Sequence, residues 1–353
     1  MARTIGLAIF TALMNGTIAI AADTPHIVYI LADDMGHGDV RALREECRFP
    51  TPHLDRLVNE GMAFTQAYSG SSICSPTRYG ILTGRYCWRD GIGLASGYTQ
   101  PYIGPDVPTV AEFLRGNGYR TRMVGKWHLG GQWAGVDGSP VIERKSKPGT
   151  VDFAKGITGG PVDQGFESWF GIIASLDMPP YVYFRDRIPV VIPTEFVERK
   201  HRFGVRPGLA DPDLTSSAVL GDLARESVKV IQTHDPEEPL FLYLALNAPH
   251  SPVAPSTEWQ GRSAVNEHAD FRMEIDHSVG RVLGALESEG MADDTLVIFT
   301  ADNGSAKQAV HGMREHGHDS CDGRRGWKAT WFEGGHRVPF VVRWPNGIQG
   351  VGR

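Results

Sequence analysis

The sequence predicts an α/β fold with a mostly parallel central sheet and helices on both faces. Three observations carry that reading. Short apolar runs have the length of buried strands, longer stretches between them place apolar residues at helical spacing, and four of the runs end in polar residues able to do chemistry. In open α/β sheets ligands sit beyond the carboxyl ends of the strands, so these four polar clusters are expected to meet on one edge.

In chain order, His26 to Ala32 runs into Asp33-Asp34, and Tyr119 to Val124 runs into Gly125-Lys126-Trp127-His128. Thr215 to Gln232 follows as a helix, with Val219, Leu220, Leu223, Val228 and Ile231 on one stripe. Leu240 to Leu246 then runs into Asn247-Ala248-Pro249-His250. A second helix is expected from about Ala269 to Glu289, stopped by Gly290, before Thr295 to Thr300 leads into Ala301-Asp302-Asn303-Gly304. A last strand is expected over Val338 to Trp344. Segments 131 to 165 and 185 to 213 hold Gly, Pro and charge without a sustained period and read as long surface loops.

The bulk properties narrow the class. A chain of 353 residues, 41% hydrophobic and 22% charged, has the composition of a folded globular protein. A formal net charge of -6 excludes the broad basic surface of a nucleic-acid or anionic-membrane binder, so any anion must be held by a local cluster. The N-terminus carries Arg3, an apolar run from Ile5 to Met14 and the small-x-small sequence Ala19-Ile20-Ala21. This is the pattern of a signal peptide over 1–21, cleaved near Ala21 or Ala22. The apolar run is broken by Asn15 and Gly16 and falls short of the roughly 20 residues of a spanning helix, so export to the periplasm or outside, without a stable membrane anchor, is expected. One catalytic domain is expected over 22–353.

Cys74-Ser75-Pro76-Thr77-Arg78, followed by Leu82-Thr83-Gly84-Arg85, is the most informative stretch. It resembles the type I sulfatases of the alkaline phosphatase superfamily, in which a Cys in C-x-P-x-R is oxidised to formylglycine by a dedicated maturation enzyme. The resemblance extends over about residues 26 to 345, through Asp163-Gln164-Gly165-Phe166-Glu167, Phe170-Gly171 and Gly334-Gly335-His336-Arg337-Val338-Pro339-Phe340. It implies the alkaline-phosphatase-like sulfatase fold. It also implies a small C-terminal antiparallel subdomain, which is expected to be missing or truncated because the chain stops at Arg353.

Asp33, Asp34, Asp302 and Asn303 offer hard oxygen ligands at two strand ends, a set that suits Ca²⁺, with Mg²⁺ second, over a thiolate or imidazole metal. Alone, each pair is a common turn sequence; the Cys74 motif makes a metal set of them, with Cys74 as a further ligand after conversion. The resemblance implies that the hydrated aldehyde supplies a nucleophilic hydroxyl for attack at sulfur. It also assigns active-site places to Arg78, Lys126, His128, His250 and Lys328, the last found through resemblance alone, with Lys126, His250 and Lys328 contacting substrate. His311, His316, His318 and His336 are dense in one segment, but no Cys or carboxylate pattern completes a zinc set. Asn303-Gly304-Ser305 fits a glycosylation sequon, which a buried ligand would serve poorly.

The expected activity is therefore hydrolysis of a sulfate monoester on a carbohydrate of galactose or N-acetylgalactosamine type, or on an aryl sulfate. The alternatives are a phosphodiester or phosphonate monoester hydrolase with the same apparatus, or a non-catalytic binder of sulfated glycans if Cys74 stays a thiol. An even count of four cysteines suggests disulfides, but conversion of Cys74 would leave Cys47, Cys87 and Cys321 as an odd set with no assignable bridge.

Overall fold

A computed structural model describes residues 24–141, 149–198, 205–348 and 352; the expected signal peptide lies outside the described residues. The first half of the chain forms β1 (His26–Ala32), α1 (Pro52–Glu60), β2 (Met62–Ala63), α2 (Cys74–Thr83), α3 (Val110–Gly116) and β3 (Arg120–Lys126). Next come the short strands β4 (Gln132–Trp133) and β5 (Ile157–Thr158), then β6 (Ser168–Ile172), β7 (Phe184–Arg185), β8 (Ile188–Pro189), β9 (Glu195–Val197) and β10 (Gly208–Ala210). The rest is α4 (Ser216–Gln232), β11 (Leu240–Ala245), α5 (Glu267–Ser288), β12 (Thr295–Ala301), α6 (Lys307–Arg314), α7 (Glu333–His336) and β13 (Phe340–Arg343).

Nine strands build the main sheet in the order β2-β13-β12-β1-β11-β3-β6-β7-β8. The centre, β12-β1-β11-β3-β6, is wholly parallel, whereas β13 and β2 on one side and β7 and β8 on the other are antiparallel. The expected parallel sheet is therefore the core of a mixed one. Among its antiparallel additions, β13 is the expected last strand, shortened to Phe340–Arg343, while β2, β7 and β8 are two-residue segments too short to show alternation in the sequence.

Burial on both faces explains why the strands read as continuous apolar runs. In β11 all six residues are buried: Leu240, Leu242 and Leu244 face a core shared with α1, α4 and α5, while Phe241, Tyr243 and Ala245 face a second core with α2 and α3. Gly125 marks a close contact in the centre, because a Cβ there would lie 1.8 Å from the Ala245 carbonyl oxygen. Its φ of 115° also excludes ordinary side chains.

Both long helices fall where expected, α5 starting two residues early because Asn266 accepts from His268 and Ala269 backbone N–H groups as its cap. The two stretches read as loops are corrected: the first contains β4 and β5, paired with each other, and the second contains β8 and the β9–β10 pair. Trp133, with no exposure, anchors the first of these stretches by packing on Tyr98, Phe153 and Phe184. All four cysteines are free buried thiols, so the even count does not reflect disulfides.

The start of α1 is held by α5. The Asp276 carboxylate accepts from the backbone N–H groups of His53 at 3.0 Å and Leu54 at 2.8 Å, standing in for a cap that Thr51 does not supply. Burial pushes Asp276 up to about 7 against those hydrogen bonds. A carboxyl raised in the folded state keeps a proton that the unfolded chain gives up, so its contribution to stability falls as pH rises from about 4 towards 7. Asp276→Asn removes that titration. Its urea midpoint should rise relative to the parent's between pH 5 and pH 8, and a pH-independent difference would contradict the assignment.

Candidate active site

The C-x-P-x-R spacing is explained by α2, which begins at Cys74. Pro76 lies in the first turn, where a missing N–H costs nothing, and the four-residue step from Cys74 to Arg78 sets both side chains on one helix face. Gly84, at φ 67° and donating to the Gly80 carbonyl, ends the helix and accounts for the downstream Gly-Arg.

Beyond the carboxyl ends of β1 and β12 the acids converge. Cys74 Sγ lies 3.4 Å from Asp33 Oδ1 and 3.9 Å from Asp34 Oδ1. The Asp34 backbone N–H donates to Asp302 Oδ1 at 3.1 Å, and Asn303 Nδ2 donates to Asp34 Oδ1 at 2.7 Å. Cations meet them from other elements. Arg78 donates from Nε at 3.0 Å and from its second terminal nitrogen at 2.8 Å to Asp302 Oδ2, and Lys126 donates to Asp33 Oδ2 at 2.5 Å. Lys328 Nζ bridges Asp34 Oδ2 at 2.8 Å and Cys74 Sγ at 3.2 Å. Asp33, Cys74, Arg78, Lys126, His128, Asp302 and Asn303 have no exposure. Lys328 and His250 keep 17% and 12% side-chain exposure, so the cluster opens to solvent on their side.

The charges shift one another strongly. Burial alone would raise Asp33, but Lys126, His250, Arg78 and Lys328 hold it well below the usual carboxylate range. Asp302 goes the other way, raised by burial and then by the charge of Asp33. Burial, reinforced by Asp33, pushes the Cys74 thiol well up. His128 is lowered by burial and by Lys126 and Arg78, and His250 by burial and Lys328, so both imidazoles are neutral at pH 7.

Backbone and donor geometry mark the same residues. Asp34 and His128 adopt φ of 74° and 59°, a left-handed conformation that costs a non-glycine residue of order 1–3 kcal/mol and clusters at functional sites, although Asp186, Ala264, Asp322 and Ala329 share it here. His128 Nε2 sits 3.0 Å from the Ala95 carbonyl, leaving Nδ1 buried without a partner. Asn303 Oδ1 is likewise a buried acceptor without a partner. That orphan oxygen, on a side chain bonded to the Asp34 carboxylate, fits a hard divalent cation. Asp33, Asp34, Cys74 and His250 each place a donor atom within 4.8 Å of the others, the one such set among the described residues. Both Asp302 oxygens already accept hydrogen bonds, although each retains acceptor capacity.

All ten residues singled out in the sequence thus lie in or against one cluster. The histidine-rich segment contributes no second metal set: His318 bonds Asp39, and His311 packs edge-on against Trp327. Asn247, in the polar cluster expected after β11 but given no role there, and Ser175, past β6 and not singled out, are both buried with unpartnered side-chain atoms; Ser305 is singled out only as part of a sequon. The strand-end rule points to the first two.

A parallel-centred sheet whose carboxyl edge gathers acids, cations and a helix-borne cysteine defines an alkaline-phosphatase-like α/β architecture. The sulfatase family profile matches residues 25–351, and the chain belongs to that family. An N-acetylgalactosamine-6-O-sulfatase of Bacteroides thetaiotaomicron is 32% identical over 92% of this chain and 68% of its own. The N-acetylgalactosamine-6-sulfatase of Mus musculus is 34% identical over 93% of this chain, which spans 59% of the mouse protein. Among solved structures, a B. thetaiotaomicron 6S-sulfatase described in work on glycosaminoglycan metabolism superposes with a TM-score of 0.80 at 30% identity, covering 92% of this chain and 73% of that one.

Arg78→Met should be costly, since it leaves Asp302 and Asp33 buried without their guanidinium. A loss of about 3–5 kcal/mol in chemical unfolding is expected. A loss below 1 kcal/mol would show that Lys126 and Lys328 compensate alone.

Proposed function

We propose that this chain hydrolyses sulfate monoesters, R–OSO₃⁻ + H₂O → ROH + HSO₄⁻, on a carbohydrate of galactose or N-acetylgalactosamine type. The observation that carries the reading is Cys74, buried on one helix face with Arg78 and within 3.4 Å of Asp33 and 3.2 Å of Lys328. The named relatives support the sugar. Asp33, Asp34, Asp302, Asn303 and the converted Cys74 would hold a divalent cation, Ca²⁺ before Mg²⁺. When present, the cation supplies Lewis acidity and the formylglycine made from Cys74 supplies a nucleophilic hydroxyl.

The remaining roles follow from charge and protonation. Three carboxylates, Asp33, Asp34 and Asp302, face three cations, Arg78, Lys126 and Lys328. A divalent cation then adds net positive charge, which suits an anionic ester. Lys126 and Arg78 are fixed by Asp33 and Asp302 and so act as preorganised electrostatic groups, while Lys328, reaching the open side, contacts sulfate oxygens. His250 shares that side and is placed to contact the sulfate. His128, neutral with Nδ1 free, is suited to proton exchange with the leaving oxygen. Among the described residues no helix is long and apolar enough to cross a membrane. With the sequence pattern at 1–21, periplasmic or secreted localisation is proposed, and the partners are a sulfated glycan and the maturation enzyme acting on Cys74.

Peptide mass spectrometry should find the Cys74 side chain converted from –CH₂SH to –CHO in protein made with the maturation enzyme. The matured protein should cleave an N-acetylgalactosamine 6-sulfate at a higher kcat/KM than the matching phosphate or phosphonate ester. A reversed preference would make it a phosphorus-ester hydrolase. Binding without turnover and with an unmodified thiol would make it a glycan-binding protein. Asp302→Ala should abolish both bound Ca²⁺ and turnover, and full activity without bound metal would refute the cation set.

A further inference from the structure

Beneath the acids lies a second buried polar network. The Asp39 carboxylate, with no exposure, accepts from Gly36 N–H at 3.0 Å, Arg272 Nε at 2.7 Å and Ser320 Oγ at 2.6 Å. His318 Nε2 lies 2.9 Å from its other side. Arg272 extends a second arm to Ser305 Oγ at 2.7 Å and a third to the His268 carbonyl at 2.8 Å. Ser305 Oγ also accepts from Gly36 N–H at 3.1 Å. Its single hydroxyl hydrogen is thereby directed to Asp39 Oδ2 at 3.0 Å or to the Asp34 carbonyl at 3.2 Å. The Ser305 carbonyl in turn accepts from Lys328 N–H at 2.9 Å.

One residue therefore links the backbones that carry Asp34 and Lys328. Ser305 stands two positions after Asn303, its hydroxyl meets the carbonyl of Asp34, and its backbone fixes that of Lys328. Asp34 holds a left-handed backbone, which persists only where its surroundings over-determine it. The loop after it also runs flush against its neighbour: a Cβ on Gly36 would lie 2.2 Å from the Ser320 carbonyl oxygen. Arg272 already compensates Asp39, so this network needs no cation of its own.

We propose that Ser305 is the positioning residue of the cation centre, held by the Arg272–Asp39 pair, and that it sets cation affinity by fixing Asp34, Asn303 and Lys328 relative to one another. The inference rests on the cation reading above. Partners of this kind, which orient ligands without touching the ion, change metal affinity by about 10–100-fold when lost.

The test uses the 353-residue chain, with Ca²⁺ affinity measured by calorimetry and amide exchange measured without metal. Ser305→Ala should weaken Ca²⁺ binding about tenfold or more and speed exchange in residues 33–36, where the hydroxyl meets Gly36 N–H and the Asp34 carbonyl. Arg272→Lys keeps a charge for Asp39 but loses the fork to Ser305, and should shift both readouts in the same direction. Val279→Ala, in the core of α5, is the control for a general loss of stability and should leave both unchanged. If the parent binds Ca²⁺ and the Ser305 and Arg272 variants match the Val279 control, the inference fails alone. If the parent binds no Ca²⁺, the cation reading fails and takes the inference with it.

Discussion

Charge compensation at the carboxyl edge of the parallel strands is the constraint on which the rest depends. Two like charges 4 Å apart repel by about 4 kcal/mol at an effective dielectric near 20, and each buried ion costs several more in lost hydration. Asp33, Asp34 and Asp302 can share one buried rim only because Arg78, Lys126 and Lys328 arrive from α2, β3 and the loop before α7. The fold can be understood as the scaffold that brings those three cations together. The parallel centre sets the strand ends side by side, and α2 presents Cys74 and Arg78 one turn apart.

The cluster also divides permanent from conditional charge. The carboxylates beside Arg78 and Lys328 raise both against burial, whereas burial first, and then the neighbouring cations, lower His128 and His250. A neutral imidazole among cations is free to take a proton and poorly disposed to keep it. Electrostatic holding and proton handling are therefore assigned to different residue types at one site.

Much of this was legible in the sequence because β1, β11 and β12 are buried on both faces and read as nearly unbroken apolar runs, whereas β3 carries Arg120 and Arg122 in its first half and is apolar only at Met123 and Val124. The polar residues after them then stand out. Lys328 was legible only through family resemblance, since the loop that carries it follows no strand. Ser305, Arg272 and Asp39 left no signal: their meaning lies in contacts across 33 to 281 positions of chain, and a buried Arg272 on a helix looks in sequence like a solvated one. The short strands β4, β5 and β7 to β10 were hidden because two or three residues cannot show a period.

The full burial of Cys74 turns geometry into chronology. Its walls include Asp302 and Lys328, which lie far downstream and close over it only when most of the chain is in place. A macromolecular reagent for this thiol would have to meet it before the later strands arrive. Once the sheet is complete, only a reagent small enough to enter on the side of Lys328 and His250 can reach Cys74.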